Sequence, residues 1–280
     1  MRYIRVIFIP ILIVMLCFSI AALQFAAVSS MTFLKDKFYM DAFQKQQFYT
    51  QVRQVSFVIT RNTLPYGAEA ASLMEEVLDE SFVRGQVDNT LKDCMEFFRG
   101  ETNEIPKLKI DPVKDKMVEV IGQNGFSKAV QKFTKLMLSP LPDSILIADI
   151  TSTRFLWGIR RIFGILERAP LVFLAFLLVL FGLIWLISFD IRDAVLWSGS
   201  AMMAGAGLDI YIYIIIKGMV QMYGFIDIPP LPPEIIHSLI VELVDSFFLK
   251  FNILTSILLV CGYFLVYFVS LIPNKLKLVR

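Results

Sequence analysis

Four apolar runs interrupt an otherwise mixed chain: Val6 to Val28, Ala169 to Phe189, Ala194 to Ile216 and Ile253 to Ile272. Each approaches or exceeds the roughly 20 residues that a helix needs to cross a bilayer core of about 30 Å. Only the third contains a formal charge, Asp209. The pattern predicts a mainly α, polytopic membrane protein with four transmembrane helices and a mostly helical extracytoplasmic domain between helices 1 and 2. The divisions it implies are residues 1–30 (helix 1), 31–168 (the large domain), 169–216 (helices 2 and 3), 217–252 (a second outer segment) and 253–280 (helix 4 with a basic tail).

Within the large domain the apolar positions fall at helical spacing. Phe48, Val52, Val55 and Ile59 form one stripe, which Asn62 to Gly67 should end. A short helix carrying Ala71, Met74 and Leu78 follows, with Glu75, Glu76, Asp79 and Glu80 as a solvated face. Ser81 is the expected cap of the clearest helix, whose stripe Val83, Val87, Leu91, Met95 and Phe98 ends near Gly100. Asn103 to Ile110 allows at most one short strand. Asp111-Pro112 then places a capping residue before a proline, so a helix should run to about Gly122, and another should start at Ser127 with Val130, Phe133 and Met137 inward. The last helix starts near Ser152, with Phe155, Ile159, Ile162, Phe163 and Leu166 on one face and Arg154, Arg161 and Arg168 on another. It reads equally as an interfacial helix or as a rigid extension of the second span.

The second outer segment opens on Ile228-Pro229-Pro230-Leu231-Pro232-Pro233, a stiff connector too rich in proline for helix. From Glu234 the positions Ile236, Leu239, Ile240, Leu243 and Phe247 predict a helix that runs unbroken into the fourth span. Continued to Ile272, it would be about 58 Å long.

Composition agrees with the membrane reading, because 56% hydrophobic content exceeds the 45–50% or so of ordinary soluble proteins. Charge sets the orientation. Arg2 and Arg5 precede span 1, Arg192 lies between spans 2 and 3, and Lys275, Lys277 and Arg280 follow span 4, so all three flanks fall on the cytoplasmic side. Both termini are then cytoplasmic in a plasma membrane, and the two intervening segments face outward. Span 1 exceeds the usual signal-peptide core and is expected to be retained. Residues 31–167 carry 18 basic and 18 acidic side chains, so the large domain has no net field to draw in nucleic acid. Cys94 alone lies in that domain, Cys17 and Cys261 being inside spans, and Asn-x-Ser/Thr sequons are missing. Both features lean towards a prokaryotic source.

Candidate chemistry is sparse. The single histidine, His237, has no acidic partner one helical turn away, since Glu242 is five positions on. Gly205-Ala206-Gly207-Leu208-Asp209 is out of register with an intramembrane aspartyl protease motif and has no second membrane carboxylate. Trp197 to Ala201 lacks a serine-protease motif and a membrane base. No catalytic residue, cofactor or metal is therefore expected. Span 3 does offer a stripe of small residues, Ala201 and Gly205, leading to Asp209. With span 3 running outward, Gln24 of span 1 and Thr255 and Ser256 of span 4 fall at similar depth, so these four residues form a candidate intramembrane polar cluster. The expected function is that of a non-catalytic assembly, scaffold or sensing component, with the lipid bilayer and a protein partner or a second copy as its contacts. The alternative is an oligomeric channel or transporter subunit with Asp209 in or near the pathway.

Overall fold

The protein is described from a computed structural model. It describes residues 2–63, 75–123, 142–188, 191–223 and 232–271, together with 128, 132, 136 and 138–140. The chain is mainly helical. In order it forms α1 (Arg2–Phe33), α2 (Asp36–Lys45), α3 (Phe48–Thr63), α4 (Glu80–Arg99), β1 (Lys107–Lys109), α5 (Asp111–Gln123), β2 (Ser144–Leu146), α6 (Ile147–Ile150), α7 (Thr153–Ser188), α8 (Ile191–Tyr223) and α9 (Pro233–Leu271). Four helices are long and apolar enough to cross a membrane: Ile7–Phe33, Thr153–Ser188, Arg192–Val220 and Pro233–Leu271.

Two compact units result, one of residues Met1–Phe33, Ile165–Gly224 and Leu243–Arg280, the other of Leu34–Gly164 and Phe225–Glu242. The hydropathy pattern separates residues 31–168 from 217–252. The structure instead groups the start of α9 with the large domain. Both α7 and α9 are continuous helices that contribute residues to each unit.

In the first unit the core is apolar and lies where α1, α7 and α8 meet, around Leu16, Ile20, Leu180, Ile184 and Ala201. Without a hydrophobic drive between lipid-bathed helices, their packing depends on close backbone approach. Glycines supply it. A Cβ on Gly205 would meet the Cys17 carbonyl oxygen at 3.2 Å and the Ile20 side chain at 3.2 Å. Across the α8–α9 contact, a Cβ on Gly199 would lie 2.9 Å from Val266, and one on Gly262 would lie 2.8 Å from the Gly199 carbonyl oxygen. By contrast, a Cβ on Gly207 meets nothing within 4 Å. Within the chain, Gly205 thus packs against α1, and Ala201 is buried in the same core.

In the second unit α4 is central. Its N-cap is Asp79, not Ser81: the Asp79 carboxylate accepts from the Phe82 amide at 2.7 Å, and the Ser81 hydroxyl donates to the same oxygen at 2.6 Å. Ser81 supports the cap from inside the first turn, and these two bonds hold the Asp79 carboxyl below the usual carboxylate range. The helix ends at Gly100 in the left-handed conformation (φ +80°), where glycine has no Cβ to strain. Val83, Met95 and Phe97 are its buried side chains, whereas Leu91 and Val87 of the expected stripe are only half-buried.

A two-stranded antiparallel sheet pairs Lys107 with Leu146, Leu108 with Ile145 and Lys109 with Ser144. The second strand had no sequence signal, being three residues long. The expected helix from Ser127, the break at residues 64–67, the proline run through Leu231 and the basic tail lie outside the described residues.

Replacing Gly262 by Val should disrupt the α8–α9 contact, because the added atoms would meet the Gly199 backbone, whereas Gly207→Ala should be tolerated. Thermal unfolding of the two variants in detergent should show a lowered midpoint for the first alone. Equal midpoints would contradict this packing.

Candidate functional site

The candidate site is the layer around Asp209, and three helices bring it together. Helices α1 and α9 run antiparallel: Phe33 stacks on Phe247 at 5.1 Å, Phe25 meets Phe251 edge-on at 6.2 Å, and the Gln24 amide reaches Thr255. Helices α8 and α9 are antiparallel too, because Gly199 faces Gly262, Tyr213 packs on Phe248 at 4.8 Å and Lys217 meets Asp245 at 3.1 Å. Helices α1 and α8 are therefore parallel, with Gly205 against the Cys17–Ile20 turn. One turn further along both, Asp209 comes level with Ala21–Gln24. Interpolation along the α8–α9 contact independently puts it opposite the Phe251–Thr255 turn.

All three polar side chains of this layer are buried, Asp209 at 0%, Gln24 at 2% and Thr255 at 3% exposure. Asp209 thus does not reach surface water. Gln24 Nε2 donates to the Phe251 carbonyl oxygen at 3.2 Å and to Thr255 Oγ1. Thr255 in turn donates its hydroxyl to the same carbonyl at 3.0 Å. That carbonyl fixes the amide orientation, since a flipped Gln24 would set oxygen against oxygen. Both amide hydrogens and the threonine hydrogen are then used. Gln24 Oε1 and both Asp209 carboxylate oxygens have no hydrogen-bond donor among the described residues. Ser256, the fourth member of the expected cluster, is turned away: it is exposed and donates to the Asn252 carbonyl at 2.9 Å. Sequence depth could not separate Thr255 from Ser256, which differ by about 100° around the helix.

Apolar layers close the site on both sides. Towards the helix 1 N-terminus lie Leu12, Leu16, Ile20 and Ala201, and on the other side lies an aromatic group of Phe25, Phe247, Phe248 and Phe251. Three buried serines of the bundle, Ser19, Ser188 and Ser198, each donate to the carbonyl four residues earlier at 2.7 Å, whereas the buried Ser29 hydroxyl has no partner among the described residues.

The second unit contains a separate polar and aromatic arrangement. The Arg160 guanidinium lies 5.0 Å from the Phe97 ring centre and 4.9 Å from that of Trp157, while it donates to the Thr102 carbonyl at 3.0 Å and to Asn103 Oδ1 at 2.8 Å. Arg160 belonged to neither predicted face of its helix. Leu156, Arg160 and Phe163 follow at i, i+4 and i+7, and this row meets α4, leaving Phe155 and Ile162 exposed. Arg99 links Asp36, Glu101 and the Leu34 carbonyl, and Lys45 pairs with Glu242 at 2.7 Å. The acidic run is spread out: Glu75 and Glu76 are exposed, Asp79 caps α4, and Glu80 accepts from Thr50 at 3.4 Å. His237 is half-buried on α9. Among the described residues, no three His, Cys, Asp or Glu side chains converge as a metal site would require.

Comparisons with protein families, curated proteins and solved structures return no match for this chain.

Burial, reinforced by the neighbouring Asp93 charge, pushes the Cys94 thiol up to about 11. Only the thiolate is nucleophilic, so in a Cys17→Ala/Cys261→Ala background the alkylation of Cys94 at pH 8 should be roughly a hundredfold slower than that of an ordinary thiol. Its rate should keep rising with pH to about 11. Reaction at the ordinary rate would mean that Cys94 is accessible and its thiol unperturbed.

Proposed function

We propose that this protein is a non-catalytic integral membrane component that couples an extracytoplasmic helical domain to a four-helix membrane bundle, acting in assembly, as a scaffold or in sensing. The observation that carries the reading is the continuity of α7 and α9, each unbroken between the two compact units. In the second unit each helix start is gripped by side chains: Arg160 of α7 by Phe97, Thr102 and Asn103, and Glu242 of α9 by Lys45. Basic flanks at Arg2, Arg5, Arg192 and the C-terminal tail support the orientation, with both termini in the cytoplasm of a plasma membrane, and missing sequons support a prokaryotic one.

Labelling of introduced cysteines tests the orientation. Sites at Asn103 and Glu234 should react from outside intact cells, and Arg192 only after the membrane is opened. Asn103 reacting only after permeabilisation would reverse the topology.

A second reading, a channel or transporter subunit, draws on one observation: Asp209 is buried, with no hydrogen-bond partner among the described residues, in a layer shared by three helices. Purification of the full chain in mild detergent, with mass measurement and reconstitution into liposomes, separates the two. The assembly reading expects a defined complex with another envelope protein and no ion flux. Flux that Asp209→Leu abolishes would replace that reading with the second.

A further inference from the structure

The three unsatisfied atoms of the Asp209 layer are all oxygens. A carboxylate removed from water needs a positive charge or donors, and otherwise takes up a proton. No described side chain donates to it: the Gln24 and Thr255 hydrogens are spent on the Phe251 carbonyl and on each other, and Asn252 at the same level of α9 makes no bond to Asp209. The titratable or charged groups nearest to this level along the three helices make no hydrogen bond to Asp209. They are Cys17 on α1, Tyr211, Tyr213 and Lys217 on α8, and Asp245, Lys250 and Cys261 on α9. Lys217 is engaged by Asp245 at 3.1 Å and by the Tyr213 hydroxyl at 3.2 Å. Helix α7 has no titratable residue between Arg168 and Ser188.

We propose that this layer binds one hard monovalent cation, a proton or Na⁺, between the Asp209 carboxylate and the Gln24 amide oxygen. The chemistry is common to both ions. A single positive charge neutralises Asp209, and either an O–H···O bond or oxygen coordination gives Gln24 Oε1 the partner it lacks. Thr255 places the site rather than filling it, by holding the Gln24 amide so that its oxygen faces away from the Phe251 carbonyl. The inference goes beyond the assembly reading and stands whether or not the protein conducts, since a site can bind without passing an ion.

The test uses the full chain in zwitterionic lipid nanodiscs, with thermal unfolding followed across pH in Na⁺ or in N-methylglucamine at equal ionic strength. Asp209→Asn is the reference, because its amide is neutral and can donate to Gln24 Oε1, so the variant should fold. The wild-type midpoint should fall by several degrees when both ions are scarce, at high pH without Na⁺, and Asp209→Asn should show no such fall. If Na⁺ does not restore the midpoint, and the infrared C=O stretch of a protonated carboxyl is present in wild type but missing from Asp209→Asn, the ligand is the proton. Restoration by Na⁺ at high pH identifies the metal ion. Gln24→Met, which removes the third oxygen and keeps side-chain length, should weaken the response. Equal responses of wild type and Asp209→Asn to pH and to Na⁺ would overturn the site, and an unaltered response in Gln24→Met would overturn its shared geometry.

Discussion

Everything distinctive about the membrane unit depends on how closely α8 approaches its neighbours. Gly205 lets α1 come within van der Waals reach of the α8 backbone, and the Gly199–Gly262 contact does the same for α9. The Gly199–Gly262 contact leaves no room for a Cβ, and at Gly205 a Cβ would fit only if its neighbours gave by a few tenths of an ångström. Because the two contacts lie on different sides of one helix, α8 is clamped between α1 and α9, and the residue one turn beyond Gly205 is closed in from both directions. That residue is Asp209. Its burial is therefore a result of glycine placement, and a bundle with ordinary interaxial spacing would leave it a path to water or headgroups.

The second unit depends on a different interaction, the seating of Arg160 against the touching Phe97 and Trp157 rings. Phe97 is fully buried and Arg160 is not, so the contact joins a core side chain to the polar surface through one guanidinium. Its donors also reach Thr102 and Asn103, just after the left-handed turn at Gly100 that ends α4. One side chain of α7 thereby fixes both the face of α4 and the path of the chain leaving it. The Lys45–Glu242 pair links α2 to the start of α9 more weakly, since exposed ion pairs are screened by solvent and by salt.

Features with a long period were legible in the sequence, and those set by a single azimuth were not. Four apolar runs, the Asp111-Pro112 helix start, the Gly100 stop and the run of α9 through residue 253 all follow from patterns spread over many residues. That Gln24 and Thr255 share a level was legible for the same reason, as rise per residue is nearly constant. Whether Thr255 or Ser256 faced inward was not, because one residue rotates the side chain to another face. The Asp79 cap lost out to Ser81 in the sequence reading because both types cap well and boundaries shift by a residue or two. Strand β2 and the Gly199–Gly262 contact come from tertiary pairing: three residues carry no period, and a glycine shows its purpose only when a second backbone arrives.

Depth also explains why carboxylates of similar intrinsic chemistry sit in opposite circumstances on the same pair of helices. Asp245 on α9 pairs with Lys217 on α8 at 3.1 Å, with both side chains more than a third exposed, so water and the tyrosine hydroxyl at 213 complete the solvation of the pair. Asp209 stands eight residues from Lys217 on the same helix, roughly 12 Å deeper along it. Between the two levels lies the aromatic group of Phe25, Phe247, Phe248 and Phe251, which offers no donors and blocks solvent. A lysine placed at the deeper level would satisfy Asp209 but would itself have to be desolvated, and a purely apolar residue at 209 would leave Gln24 Oε1 unpaired. An exchangeable monovalent cation avoids both difficulties, because it adds the missing charge without burying a second ionised side chain.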